Sequence, residues 1–254
     1  MRDRTIALTG FMGTGKTAVG RVLAERLGRP FVDMDAVLEQ RLGMTIAEVF
    51  RTLGEPAFRA AEAELVQELA GQDGLVVATG GGALLPEANR RALLARAVVI
   101  LLTCAPEELA RRLEGVEDRP LLAGEDRAAT IARLLAERRA AYEAIPLHLE
   151  TTNLQVAEAA ERAQRLAAAA EAGPLHLLPL PACAGGYDVA VGEGLLPRSG
   201  AWWLSLQTGD AAVVVSEPRV RALHGSALEQ ALQQAGIAAR WLEAPAGESA
   251  KTYE

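Results

Sequence analysis

The sequence predicts an α/β fold: a five-stranded parallel sheet with helices on both faces, followed by an incomplete second α/β unit. Three observations predict it. Short apolar runs alternate with segments of helical period, the pattern of strands buried in a parallel sheet between crossover helices. A glycine-rich loop, Gly10-Phe11-Met12-Gly13-Thr14-Gly15-Lys16-Thr17, joins the first apolar run to the first helical segment. Near residues 173–184 a Gly/Pro-rich stretch breaks the alternation, which then restarts. The expected organisation is a domain over residues 1–172, a linker over 173–184 and a short second unit over 185–254.

The first strand is read at Thr5 to Leu8. Val19, Val22, Leu23 and Leu27 then recur at helical spacing, and Gly28 followed by Pro30 stops that helix. Phe31 and Val32 make a short strand that delivers Asp33 and Asp35. Because Ala36, Val37 and Leu38 open a helix that Asp35 could cap, the acidic pair reads equally as a cap and as strand-end chemistry. Thr45 with Glu48 fits a capping box, and Gly54-Glu55-Pro56 divides the helical stretch from Thr45 to Leu69, with Pro56 suited to a first helical position. Leu75 to Ala78 is the next strand, and Gly80, Gly81 and Gly82 follow it. Three glycines in a row cost backbone entropy, which points to a sharp turn or to close approach of backbone to a ligand.

Pro86 to Arg96 is helical, Ala97 to Leu102 is the fourth strand, and Pro106 to Leu113 is a helix carrying Arg111 and Arg112. The polar segment Gly115 to Asp126, with Arg119 inside it, interrupts the pattern as a loop. A long helix from Ala129 to Ala144, a fifth strand at Leu147 to Leu149 and an Ala-rich helix from Val156 to Glu171 complete the first domain. Beyond the linker come runs at Tyr187 to Gly192 and Ala211 to Val215, a helix near Pro218 to Ala235 and a run at Ile237 to Leu242. These are too few strands to finish a sheet of this kind.

Composition narrows the function. Half of the 254 residues are hydrophobic, enough for one large core or two small ones. The net charge of −7 and the lack of a basic stripe argue against a nucleic-acid partner. No apolar run approaches the roughly 20 residues of a membrane span, and Arg2, Asp3 and Arg4 lead into the first strand rather than into a signal peptide. The expected setting is the cytoplasm, with no membrane partner and the first domain a monomer. Cys104 and Cys183 lie far apart in no metal spacing and read as reduced packing residues. His148, His176 and His224 are equally scattered and read as core or surface histidines.

The glycine-rich loop carries the first chemistry. Backbone N–H groups of Gly13, Thr14, Gly15 and the opening helical residues through Ala18 can curl around phosphate oxygens, aided by the positive end of the new helix. Lys16 reaches the terminal phosphates, and the Thr17 hydroxyl suits the accompanying Mg2+. A switch or motor ATPase places a magnesium-side acid at the end of a later strand, but neither Leu75 to Ala78 nor Val98 to Leu102 ends in one. Asp33 and Asp35 are the strand-end acids, an arrangement of small-molecule kinases. No Asn-Lys-x-Asp sequence for guanine occurs.

Six motifs in order resemble shikimate kinase: Gly10 to Thr17, Asp33-x-Asp35, Gly54-Glu55 with Phe58-Arg59 and Glu62, Gly80 to Gly82, Arg119-Pro120-Leu121-Leu122, and Arg138 four residues before Tyr142. The resemblance spans the first 172 residues and departs where Ala140-Ala141 stands in place of the family's frequent Pro-Leu, which leaves Arg139 as a substitute for Arg138. It implies transfer of the ATP γ-phosphoryl group to the 3-hydroxyl of shikimate. Asp35 would accept the hydroxyl proton, and Asp33 would hold a magnesium-bound water. Lys16 and Arg119 would offset charge on the transferred group. Arg59 and Arg138 would hold the substrate carboxylate, with Gly80 to Gly82 approaching the ring hydroxyls. Arg119 would close with a lid, and Arg112 would stack on adenine. A gluconate-like small-molecule kinase and a non-catalytic nucleotide-binding scaffold are the alternatives.

The tail resembles the opening of 3-dehydroquinate synthase at Tyr187-Asp188-Val189, Gly192 to Leu196, Val213 to Ser216 and Gly247 to Thr252. This implies a two-enzyme gene product of aromatic amino-acid biosynthesis. Glu248 and Lys251 would be NAD contacts, and a divalent metal such as zinc would belong to the rest of the synthase. The tail alone is not expected to make dehydroquinate.

Overall fold

The computed structural model describes residues 4–114, 127–171, 176–180, 187–191, 194–200, 203 and 210–246. Its centre is β1 (Ile6–Gly10), buried along its whole length and flanked by β3 (Val76–Ala78) and β4 (Val98–Thr103). With β2 (Phe31–Asp33) and β5 (Leu147–Glu150) at the edges, the sheet order is β2-β3-β1-β4-β5, and every pairing is parallel. The apolar runs explain the centre. Val98 to Leu102 are all buried, because a strand inside a parallel sheet has helices over both faces. At the edge, β5 instead alternates buried and half-buried residues. The chain turns to one side of β1 for β2 and β3 and to the other for β4 and β5, so a crevice opens at the C-terminal ends of the central strands.

Eight helices accompany this sheet among the described residues: α1 (Lys16–Leu27), α2 (Met34–Leu42), α3 (Ile46–Thr52), α4 (Gly54–Ala70), α5 (Glu87–Arg96), α6 (Pro106–Arg112), α7 (Arg127–Glu143) and α8 (Val156–Glu171). Gly28 ends α1 in the left-handed conformation, as its position in the sequence predicts. Thr45 and Glu48 form the expected capping box of α3. The main core packs Met34, Leu38, Val49, Phe58, Leu65 and Val66 under the strands. A second cluster joins Phe11 and Met12 of the loop to Leu109, Leu113, Ile131 and Leu134. That cluster anchors the phosphate loop to α6 and α7.

Three expectations are corrected. Asp33, not Asp35, caps α2: it ends β2 in extended geometry and its carboxylate accepts the Asp35 N–H at 3.1 Å. Asp35 therefore sits in the first helical turn, because strand pairing with Ala78 carries Asp33 in the sheet and the turn begins at Met34. The second correction concerns α4, which starts at Gly54 rather than at Pro56. Gly54, with φ of 81°, lets the chain leave α3 at once, and Pro56 falls in the first turn where no N–H is required.

The third lies in the tail. The chain divides into two units, Met1–Ala167 and Ala168–Glu254. Within the second, β6 (His176–Leu180) lies inside the stretch 173–184 that its prolines mark as a linker, and it pairs antiparallel with β7 (Tyr187–Val191). Proline is tolerated there because a two-stranded sheet consists of edges only. Farther on, β8 (Ala211–Ser216), α9 (Pro218–Gln234) and β9 (Ala238–Glu243) make a parallel βαβ unit over a small core of Ala212, Leu232 and Ile237.

Candidate active site

The phosphate loop takes its shape from backbone constraints. Gly10 has φ of 137°, and a Cβ there would lie 2.2 Å from the Leu102 carbonyl oxygen, so no other residue fits between β1 and β4. Gly15 precedes α1 with φ of 92°, and the first intrahelical bond runs from Val19 N–H to Gly15 O at 2.8 Å. The amides of Lys16, Thr17 and Ala18 thus stand at the open end of the helix, where an anion is favoured. Phe11 O accepts from Thr14 Oγ1 at 2.8 Å and from Lys16 Nζ at 2.9 Å, which holds the ammonium inside the curl of the loop.

Beside the loop, Thr17 Oγ1 donates to Asp33 Oδ2 at 2.9 Å. A hydroxyl and a carboxylate at this spacing form an oxygen donor pair that suits a hard cation such as Mg2+. Asp33 is thus shared between capping α2 and facing Thr17.

The crevice opens into a pocket of about 580 Å³ whose wall includes Thr17, Asp33, Asp35, Arg59, Glu62 and Arg138, together with Gly80, Gly81 and Gly82. Met12, Ile46, Phe50 and Phe58 give it an apolar side, with the two phenyl rings 5.0 Å apart. Arg59 donates to Glu62 Oε2 at 2.7 Å and twice to Glu55 Oε1, while its guanidinium lies over Phe58. Each terminal nitrogen carries two N–H groups and spends one on these bonds. Arg138 is only 7 % exposed, lies 5.1 Å over the Phe11 ring and donates to Gly81 O at 3.2 Å. The same carbonyl accepts from the Tyr142 hydroxyl at 3.1 Å. Arg139, one residue on, is exposed and paired with Glu143 at 2.6 Å. The helix turns about 100° per residue, so only one of the two arginines can face the crevice.

Glu62 had no role assigned from the sequence beyond its place in a motif. It is 1 % exposed, and its Oε1 has no hydrogen-bond partner among the described residues. Burial pushes its carboxyl up from the usual range against the opposing pull of Arg59, and the neighbouring Asp35 adds to the rise. Its signal was available: Glu62 falls in phase with the buried Phe58, Leu65, Val66 and Leu69 of α4, and a charge on that stripe requires a partner.

The glycine triplet has a more exact explanation than the sequence suggests. A Cβ at Gly80 would come within 2.6 Å of Glu62 Oε1 and 3.0 Å of Asp35 Oδ1, and one at Gly82 within 2.7 Å of Arg59 Nη1. None of the three has a positive φ. Gly80 and Gly82 lack a side chain because charged side chains of the pocket press against them, whereas a Cβ at Gly81 would meet nothing nearer than 3.5 Å.

A second pocket of about 380 Å³ lies on the other side of the loop, between Gly13 to Gly15, α6 and residues 151–156. Arg112 lines it, tied to Glu108 at 2.8 Å and to the Thr151 and Thr152 carbonyls at 2.8 and 3.2 Å. Three hydrogen bonds, two from Arg111 and one from Arg112, hold the Glu108 carboxyl down to about 2. Nearby, burial pushes the Cys104 thiol up, so it stays an unionised packing group. Arg119, Glu248, Lys251 and Cys183 lie outside the described residues, as does the polar segment 115–126. Among the described residues there is no metal-binding group of three or more His, Cys, Asp or Glu, and no helix long and apolar enough to cross a membrane.

Comparison with known proteins converges on one family. The model of that family, shikimate kinase, matches residues 12–168. Over 158 residues the chain is 44 % identical to the shikimate kinase of Pelotomaculum thermopropionicum, covering 62 % of this chain and 92 % of that protein. It is 50 % identical over 139 residues to the enzyme of Symbiobacterium thermophilum, covering 54 % and 80 %. Among solved structures, shikimate kinase from Acinetobacter baumannii in complex with shikimate superposes with a TM-score of 0.59 at 38 % identity, covering 64 % of this chain and 90 % of that one. The enzyme from Aquifex aeolicus gives 0.58 at 28 %, covering 66 % and 98 %.

Proposed function

The chain belongs to the shikimate kinase family and is an ATP-dependent small-molecule kinase, and from that premise we propose the site and course of its reaction. The first unit transfers the γ-phosphoryl group of ATP to the 3-hydroxyl of shikimate, giving shikimate 3-phosphate and ADP. One observation carries the reading: the Thr17–Asp33 pair, Asp35, Arg59 and Arg138 all line a single pocket, next to the phosphate loop. Donor chemistry and carboxylate-binding chemistry meet there.

In this reading the N–H groups of Gly13 to Ala18 and the Lys16 ammonium cradle the ATP phosphates. Thr17 and Asp33 hold Mg2+, which offsets phosphate charge when bound. The guanidiniums of Arg59 and Arg138 grip the shikimate carboxylate, each through N–H groups left over from its ties to Glu55, Glu62 or Gly81. Asp35, in the first turn of α2, takes the proton of the acceptor hydroxyl. That oxygen bonds to the γ-phosphorus as the bond to the β–γ bridging oxygen breaks, and ADP leaves. Arg112 borders the adenine pocket, and Arg119 completes the charge offset as its motif implies. Coupled ADP release with shikimate, with gluconate and with no acceptor tests the proposal. Turnover that depends on shikimate supports it, whereas equal rates with and without shikimate overturn it.

The second unit supports a further reading, that it is part of a 3-dehydroquinate synthase-like domain and that the gene product is bifunctional. Its support is the parallel βαβ unit of β8, α9 and β9 at the motif Val213 to Ser216. NAD and a divalent metal such as zinc would serve only that second activity. An assay of dehydroquinate formation by the protein isolated from its host decides this, and no activity there with kinase activity intact refutes it.

A further inference from the structure

At the C-terminal end of β5 one carboxylate gathers an unusual number of donors. Glu150 Oε1 accepts from the Thr151 N–H at 3.1 Å, from the Thr152 N–H at 2.9 Å and from the Thr152 hydroxyl. Its other oxygen, Oε2, accepts from Thr103 Oγ1 on the neighbouring strand at 2.8 Å. The two threonines pass the restraint on. Thr152 Oγ1 accepts the Ala105 N–H at 2.8 Å, just before α6, and the single Thr151 hydroxyl proton is shared between Thr103 O at 2.8 Å and Thr14 O of the phosphate loop at 3.2 Å. Their carbonyls, turned outward, receive the Arg112 guanidinium.

Thr151, Thr152 and the following Asn153 to Val156 wall the pocket beside the phosphate loop, together with Gly13, Thr14, Gly15 and Arg112. Glu150 itself is absent from that wall, so it touches the pocket only through the residues it holds. Residues 151–155 form an irregular connection between β5 and α8; Thr151 N–H still bonds to Thr103 O at 2.8 Å and Leu154 N–H to Thr151 O at 3.3 Å, so the Thr152 amide is the one that depends on a side-chain acceptor.

We propose that Glu150 is a positioning residue for nucleotide binding: by tying the Thr151 and Thr152 amides to Thr103, it fixes the loop and Arg112 in the shape that accepts the base of ATP. This rests on the assignment of the adjoining loop as the ATP site. Its effect is confined to one substrate, because shikimate would bind in the other pocket, on Arg59 and Arg138. The chemistry distinguishes two replacements. Glu150→Ala removes the acceptor of the Thr152 amide and leaves the Thr151 amide only its bond to Thr103 O. Glu150→Gln keeps the length and one carbonyl oxygen for the two amides, while the Thr103 hydroxyl can turn to accept from the new amide.

The test measures KM for each substrate, kcat, and ADP affinity by calorimetry on the whole chain, with thermal melting alongside. Glu150→Ala is expected to raise the ATP KM and the ADP Kd about tenfold, the size expected when charge-assisted hydrogen bonds are lost. The shikimate KM and kcat are expected to stay within about twofold, with Glu150→Gln lying between Glu150→Ala and wild type. An ADP affinity of Glu150→Ala equal to wild type overturns the proposal. So does a parallel loss for both substrates in Glu150→Gln, which would mark a general folding role. Wild-type protein that binds no ADP would instead refute the nucleotide site on which the proposal rests.

Discussion

Gly80→Ala is the sharpest probe of how the acceptor pocket is packed. The added Cβ would lie 2.6 Å from Glu62 Oε1 and 3.0 Å from Asp35 Oδ1, whereas ordinary contact begins at 3.4 Å. Glu62 would have to retreat by about 0.8 Å and Asp35 by about 0.4 Å, or the triplet itself would shift outward. Glu62 has little room: it is 1 % exposed and its other oxygen is held by Arg59 at 2.7 Å. Overpacking of this kind costs about 1–3 kcal/mol of stability, and displacing a reacting group by a fraction of an ångström to 1 Å costs up to about 10²-fold in rate. We expect kcat/KM for shikimate to fall by about 10- to 100-fold with the ATP KM within about twofold of wild type. Gly81→Ala supplies the comparison, since its Cβ would meet nothing nearer than 3.5 Å and its loss should be much smaller. Steady-state kinetics of both variants, with melting curves, decide the matter. If Gly80→Ala keeps near-normal kcat/KM, or if the two variants are equally impaired, the reasoning from close contact fails.

Three other outcomes follow from the site. Asp35→Asn keeps the size of the group but cannot take a proton, so kcat should fall about 10²- to 10⁴-fold while ADP still binds in calorimetry; near-normal kcat would remove Asp35 from the role of base. Arg138→Met should raise the shikimate KM about 10- to 100-fold by removing a buried charge-assisted contact, whereas Arg139→Ala, which breaks only an exposed pair with Glu143, should leave kinetics unchanged; the reverse order would show that α7 presents its other face. Glu108 has a folded pKa lowered from 4.5 to about 2, first by its bonds to Arg111 and Arg112, so its stabilising effect is present above pH 4.5 and is lost as pH falls toward 2. The melting-temperature gap between wild type and Glu108→Gln should therefore be full at pH 7 and shrink on acidification below 4.5; a gap independent of pH would contradict the ion-pair assignment.

Particular residues mark where sequence reading succeeded and where it stopped. The three central strands were legible because a strand buried on both faces must be apolar throughout, and the capping box at Thr45 and the stop at Gly28 follow from local chemistry. Asp33 and Asp35 were legible as acids at a strand end, but not which of them caps α2: both are good caps, and the pairing of Asp33 with Ala78 decides it. The strand His176–Leu180 was hidden by Pro179, since only its place in a two-stranded sheet makes a proline tolerable there. Glu62 was visible as part of a motif, yet its unpaired buried oxygen exists only after α4 docks against Gly80.

By itself, then, the sequence determined a phosphate loop between strand and helix, the strands of a parallel sheet, and the residue types of a kinase site, because glycine spacing, apolar periodicity and caps act over a few residues. Only the tertiary structure decided which arginine of the Arg138–Arg139 pair enters the crevice, why Gly80 and Gly82 must lack a side chain, and how Glu150 reaches the nucleotide pocket through two threonines. The deciding contacts join distant segments, such as Gly81 with Arg138 and Thr103 with Glu150. Their geometry depends on helix phase and strand order, which local sequence pattern does not encode.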